Sequence, residues 1–372
     1  MLSLEFLQIY WWCVVSLLGG LLVFMMFVQG GQTLLFGLCK NELQKDMVIN
    51  SIGRKWELTF TTLVMFGGAC FAAFPLFYAT SFGGAYWVWL AILFCFILQA
   101  VSYEYRKKPD NFLGQKTYEI FLFINGSLGV ILIGMAVSTF FSGSDFLLNE
   151  HNFVQWQTPF RGLEALGNIM LYPLGIAVFF LSRVGGALYL INNIDDEEIR
   201  ASARKAALKN TILFLPFFLA FAAWVLSKPG FGYDEAGEVS VVAFKYAHNF
   251  ADMPIIAVAA IAGVCGVLFG VFKGAFTKSI YGIVPFGAGV VLVVTALFLI
   301  SGLNGTAFYP SFSDLQSSLT IKNASSSRYT LNVMFYVSFL VPVVLGYIVA
   351  VWRAMDSKKI TAGEIERDHH AY

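Results

Sequence analysis

Five ionisable side chains stand inside or at the edges of long apolar runs: Glu57, Glu104, Glu119, Glu164 and Arg183. A carboxyl group partly withdrawn from water has its pKa raised above about 4.3, toward a range where it takes and releases protons. Glu57 follows a basic pair, Arg54 and Lys55, and an interfacial Trp56, and it opens an apolar run. Glu104 sits at the end of another run, beside Arg106. Proton uptake is the chemistry these acids could perform. The competing reading is an interfacial acid neutralised by Arg54, Lys55 or Arg106. Arg183 either snorkels to the surface or pairs with a carboxylate; its functional alternatives are a lipid headgroup or a proton path. The four histidines (His151, His248, His369, His370) fall in loops or the tail, and the five cysteines stand singly. Haem or metal within a bilayer draws on His, Cys or Met ligands. The chain is therefore expected to carry no cofactor, no metal and no catalytic centre of its own. No Walker loop, GxGxxG fingerprint or HExxH occurs.

The elements that must position these groups are membrane helices. The 372 residues are 58% hydrophobic and 13% charged, half the charge of an ordinary soluble chain. This composition predicts an all-α polytopic membrane protein. Runs long enough to span occur at about 9–38, 58–79, 85–103, 117–141, 163–191, 208–227, 254–273, 280–303 and 331–352. Residues 1–372 form a single membrane domain. Counting suggests a four-helix unit over 9–141, a second over 163–303, a peripheral helix at 331–352 and a tail at 353–372. All but five of the 24 Lys and Arg (Arg161, Lys228, Lys245, Lys322, Arg328) fall on one side. The positive-inside rule then puts the N-terminus outside and the C-terminus in the cytoplasm. Trp11, Trp12, Trp87, Trp89 and Trp224 are expected at the outer interface, and Trp56 and Trp352 at the inner one. Near-zero net charge gives no reason to expect nucleic acid.

Prolines in several spans predict kinks. Gly266, Gly270 and Gly274 recur at four-residue spacing on one helix face, a close-packing surface. The loop 192–207 reads as a solvated helix capped by Asn193, with an Asp196–Arg200 pair. The outer segments 142–162, 228–253 and 304–330 have room for short helices or a docking surface.

Several stretches resemble subunit II of the bacterial cytochrome bd quinol oxidases: MVINSIGRKWE (47–57), GGACFAAFPLFYATSFGG (67–84), VSYEYRKK (101–108), SSRYTLNVM (326–334) and KKITAGEIERDHHAY (358–372). The family pattern is MINSI…WD, a GGALFAAWP-like helix, FDYR, and TLNVM…ITxxDIE, in the same order over essentially the whole chain. The resemblance implies nine spans and a complex that oxidises quinol and reduces dioxygen to water in a bacterial respiratory chain, in the inner membrane. It places haems b and d and the quinol site in a partner, subunit I, which this haem-free chain would stabilise. Small single-helix accessory subunits, membrane lipid and a structural quinone are further implied partners. The family's acid after the interfacial Trp falls on Glu57, and the FDYR acid on Glu104, which makes both proton-path candidates.

The sequence also departs from the family. Where many members carry Asp-Gly-Phe-Asp, this chain has Gln29, Gly30, Gly31 and Gln32, and Gln99 replaces an Arg. The three amides are expected to form a neutral structural cluster in place of an ionic one. Leu58, Thr59 and Phe60 replace a polar motif after the Trp-acid pair. The alternatives to a proton role are a purely structural, lipid- or quinone-binding subunit and a secondary transporter.

Overall fold

The computed structural model describes residues 2–109 and 111–367. His369 and His370 lie outside them. Among the described residues nine helices are long and apolar enough to cross a membrane. They are Leu4–Leu38, Glu42–Ala73, Tyr86–Tyr105, Gln115–Ser142, Ile169–Asn193, Glu197–Ser227, Pro254–Phe276, Ile283–Gly302 and Arg328–Met355, called spans one to nine below. Their alternation gathers the loops after spans one, three, five and seven at one charge-rich end.

Span one turns at Met26, between Leu4–Met25 and Phe27–Leu38. Its first part packs on span eight and its second part crosses span five. That crossing depends on glycine: a Cβ on Gly30 would overlap the Ser182 carbonyl, and one on Gly186 would overlap the Gly31 amide. Spans seven and eight meet in the same way. A Cβ on Gly270 would lie 2.6 Å from Phe286 Cβ, and one on Gly266 would lie 3.1 Å from the Pro285 carbonyl. The small-residue face of span seven is thus used within the chain. Span nine is the opposite case, because none of its apolar window is buried inside the protein.

Several boundaries differ from the sequence reading. Residues 163–171 are two short 3-10 turns, and the helix of span five begins only at Tyr172, ahead of Pro173. Glu164 therefore lies at a rim and not within a span. Trp11 and Trp12 are buried between spans and do not face outward. They donate to the carbonyls of Leu331 (3.1 Å) and Phe298 (3.0 Å), which satisfies their indole N–H groups. Asn193 does not cap the helix after span five. Asp196 has the extended backbone of a cap and accepts from the Ile199 amide (2.8 Å), while Arg200 pairs with Asp195 at 2.8 Å.

At the end opposite the charged one, the connections fold into two antiparallel hairpins, Phe146–Leu148 with Val154–Trp156 and Gly230–Tyr233 with Val239–Val242. Residues 304–330 lie over them, and Phe308 and Tyr309 pack with Phe77 and Phe140 in one aromatic cluster. Lys228 leaves span six there. Its ammonium donates to the Phe141 carbonyl and lies over the rings of Trp224 (5.2 Å), Phe231 (5.3 Å) and Tyr246 (5.6 Å). Burial pushes this amine down to about 8. Its folded pKa thus lies below its unfolded one, so between pH 8 and 10.5 the unfolded chain binds more protons and rising pH favours the fold. Across that window wild type should gain thermal stability relative to Lys228→Met. Melting curves at stepped pH test this, and a constant difference would contradict it.

Candidate functional site

Span two is built from Glu42–Gly53, a joint at Arg54–Lys55, and the helix Trp56–Ala73. The joint forms because the first helix closes on itself, with the Lys55 amide bonding the Ile52 carbonyl at 3.0 Å. Both cations of the joint are taken by the far end of the chain. Arg54 pairs with Glu364 at 2.6 Å. Lys55, whose side chain is wholly buried, lies 3.0 Å from Asp356 and 5.3 Å from the centre of the Trp352 ring. Asp356 also accepts from Trp352 Nε1 (2.7 Å) and Asn193 Nδ2 (3.1 Å). The tail is drawn in further where Ile360 bridges Ile194 as a short parallel pair. A buried lysine is tolerable only with such a partner.

Arg106 is engaged elsewhere as well. It contacts Asp46 at 2.7 Å and Glu119 at 2.8 Å, and Arg106 and Glu119 are each 1% exposed. Lys107 pairs with Asp46 (2.8 Å) and Lys45 with Glu119 (3.2 Å). This network joins span two's first helix to the hairpin between spans three and four.

Arg54, Lys55 and Arg106 were the candidate neutralising partners for Glu57 and Glu104, and all three are committed to other acids. Glu57 and Glu104 are both exposed and make no ion pair among the described residues. They begin at the same level, because their chain neighbours Trp56 and Tyr103 stack at 5.8 Å and 15°. Spans two and three touch again at Phe60 and Phe96. The two acids therefore stand on the outside of the chain, and a path using them would run along its surface.

The amides lie one layer deeper. Gln29 donates to Gln99 at 3.4 Å, Gln32 donates to Tyr103 at 3.0 Å, and all three amides are buried. Asn125 joins this region from a π-helical turn in span four, Asn125–Gly129, which packs on spans one and three. Gln29 Oε1, Gln32 Oε1, Gln99 Nε2 and both Asn125 amide atoms have no partner among the described residues. With donors and acceptors both unpaired, the cluster has the capacity to hold bridging water.

Arg183 pairs with no carboxylate among the described residues. Its Nε donates to Asn210 (2.8 Å) and its Nη1 to the Thr33 carbonyl (3.3 Å), and the guanidinium lies 5.4 Å from the Phe179 ring centre. The described residues hold no group of three or more His, Cys, Asp or Glu placed to grip a metal.

Sequence reasoning noted Glu119 without giving it a role, and it missed Asp46, Asp356, Asn125 and Tyr103. One signal was present. Arg106 and Glu119 flank the connection between two spans, which brings a cation and an acid to the same level. Asp356 gave no such signal, because its partner Lys55 is three hundred residues distant in sequence.

The geometry defines a polytopic helical membrane protein with a charged, tied end and two surface carboxylates. In fold it matches the structure of a bd oxidase from Geobacillus thermodenitrificans, with a TM-score of 0.64 and 13% identity, covering 95% of this chain and 99% of that one. The model of the cytochrome bd terminal oxidase subunit II family matches residues 7–355, and the chain belongs to that family. It is 28% identical to the cytochrome bd-I ubiquinol oxidase subunit 2 of Escherichia coli (strain K12), over the full length of both. It is also 28% identical to the cytochrome bd ubiquinol oxidase subunit 2 of Bacillus subtilis (strain 168), over 82% of each. This is accordingly a multi-pass membrane subunit of a bacterial respiratory quinol oxidase.

Arg106→Met would leave the buried Glu119 with Lys45 as its remaining cation, and losing one partner of a buried pair costs up to about 3–5 kcal/mol. Arg106→Met should lower the melting temperature sharply, and adding Glu119→Leu should restore part of the loss. Thermal unfolding of the three proteins measures the coupling, and strictly additive losses would dissolve the pair.

Proposed function

We propose that the chain is the haem-free subunit of its oxidase, that it stabilises the haem-bearing subunit I, and that it offers proton-accepting carboxylates on the cytoplasmic side. In this reading the N-terminus is outside and the charged end is cytoplasmic, as the distribution of Lys and Arg favours. Reduction of dioxygen to water consumes protons, so the complex needs an entry for them on that side. The observation that carries the proposal is the exposure of Glu57 and Glu104, neither in an ion pair among the described residues, while Arg54, Lys55 and Arg106 are paired with other acids. A carboxylate at a membrane edge is costly unless solvated, paired or used. On the outer face of spans two and three the two acids would line a water-filled seam against subunit I. Trp56 and Tyr103 would wall that seam, while the Lys55–Asp356 pair fixes the joint that aims Glu57. The test is oxygen uptake by the assembled oxidase carrying Glu57→Gln or Glu104→Gln. Each should slow turnover several-fold with the reduced-minus-oxidised haem spectrum unchanged, and undiminished uptake by both would remove the proton role.

A second reading, a structural subunit that holds a quinone, has its own support. A cavity of about 400 Å³ opens at the hairpin end. Apolar walls from Trp89, Leu132 and Met135 meet polar groups of Glu164, Trp156 and Tyr309 there. That combination suits a small amphiphile with a polar ring. Filling the cavity with Met135→Trp should lower the quinone extracted per purified complex. An unchanged quinone count would end this reading.

A further inference from the structure

The Arg183 guanidinium is poorly matched by the protein around it. Its two protein acceptors are neutral, the Asn210 amide and the Thr33 carbonyl. No carboxylate pairs with it among the described residues, so a full positive charge stays uncompensated inside a nine-span membrane protein. Its depth is set by Asn210. Span six has 31 residues, about 46 Å of helix, so it projects well beyond a hydrocarbon core of about 30 Å. Its apolar run starts beside Asn210, after the polar first turns that carry Arg200, Arg204, Lys205 and Lys209. Arg183 therefore lies level with the point where the apolar run of span six begins, toward the charged end.

Two further features surround it. Lys209, which precedes Asn210, and Lys205, one turn before, are both exposed and make no ion pair among the described residues. Outward from Arg183 the surface turns apolar. Phe180 stacks on Phe217 at 6.0 Å, and Leu213 is exposed on the same face of span six as Asn210. A cationic head over an apolar track fits a molecule with an anionic head and a hydrocarbon tail.

We infer that Arg183, with Lys209, binds the phosphate of an anionic phospholipid in the charged-end leaflet, with an acyl chain lying along Phe180, Leu213 and Phe217. Asn210 and Thr33 hold the guanidinium in place, which leaves its remaining N–H groups directed to phosphate oxygens in a charge-assisted contact. The lipid supplies the counter-charge that the protein omits. It also fills the seam where spans one, five and six converge, so its loss should loosen that junction. This site is separate from Glu57, Glu104 and the hairpin-end cavity, and it stands whether or not those carry protons or quinone.

The test is native mass spectrometry of the assembled oxidase in mild detergent, with melting curves of the delipidated complex. Wild type should retain anionic phospholipid. Its melting temperature should rise with added phosphatidylglycerol or cardiolipin, and not with phosphatidylcholine or inorganic phosphate. Arg183→Gln should lose both the retained lipid and the response, and Arg183→Lys should keep part of each. Lys209→Gln changes only an exposed side chain, so it should fold normally and weaken the response several-fold. The inference falls if Arg183→Gln or Lys209→Gln retains lipid and responds as wild type does. It falls equally if inorganic phosphate stabilises as well as the lipid, or if no anionic lipid accompanies the wild-type complex.

Discussion

The fully buried Lys55 and its partner Asp356 hold the charged end of this protein together. An ammonium withdrawn from water stays charged only beside an anion, and the sole carboxylate in contact with Lys55 among the described residues comes from the end of span nine. The rest of the end depends on that contact. Asp356 gathers Trp352 and Asn193, the tail turns inward so that Ile360 bridges Ile194, and Glu364 reaches Arg54. Span nine buries none of its apolar window, so polar contacts at its ends matter more to it than they do to the interior spans.

The same constraint orders the neighbouring region. Arg106 is withdrawn against Glu119 and Asp46, and Glu57 and Glu104 make no ion pair among the described residues. Neutralisation inside the chain and bare acids outside it are therefore two results of one distribution of charge. Above this layer the structure changes strategy. Gln29, Gln32, Gln99 and Asn125 bring polarity into the bilayer without net charge, so a missing partner costs a hydrogen bond and not an ion. The amide cluster is thus softer than the ionic layer beneath it and better suited to exchanging water.

Glycine supplies the other half of the architecture. Within a membrane, helices gain little by hiding apolar surface from one another, so close contact has to supply the cohesion. Spans one and five cross at Gly30 and Gly186, and spans seven and eight at Gly270. Gly30 belongs to the stretch that also carries Gln29 and Gln32, so a single sequence segment sets both the helix crossing and the position of the polar cluster.

Much of this was legible in the chain before any coordinates. The apolar runs revealed nine spans because a bilayer crossing needs about 20 apolar residues whatever the fold. The sites of Glu57, Glu104 and the three glutamines could be read too, since polar residues stand out against such runs and several lie in stretches resembling one family. Partners were not legible. Arg106 has acids near it in sequence, yet helix direction turns it from Glu104 toward Glu119. Trp11 and Trp12 look like outward-facing aromatics by position, yet they are buried and carbonyls of other spans accept their N–H groups. Sequence alone determined which segments lie in the membrane and which groups are costly there, because those follow from the solvation of each residue. Which costly group meets which partner, and which is left facing outward, was decided only by the packing of helices far apart in the chain.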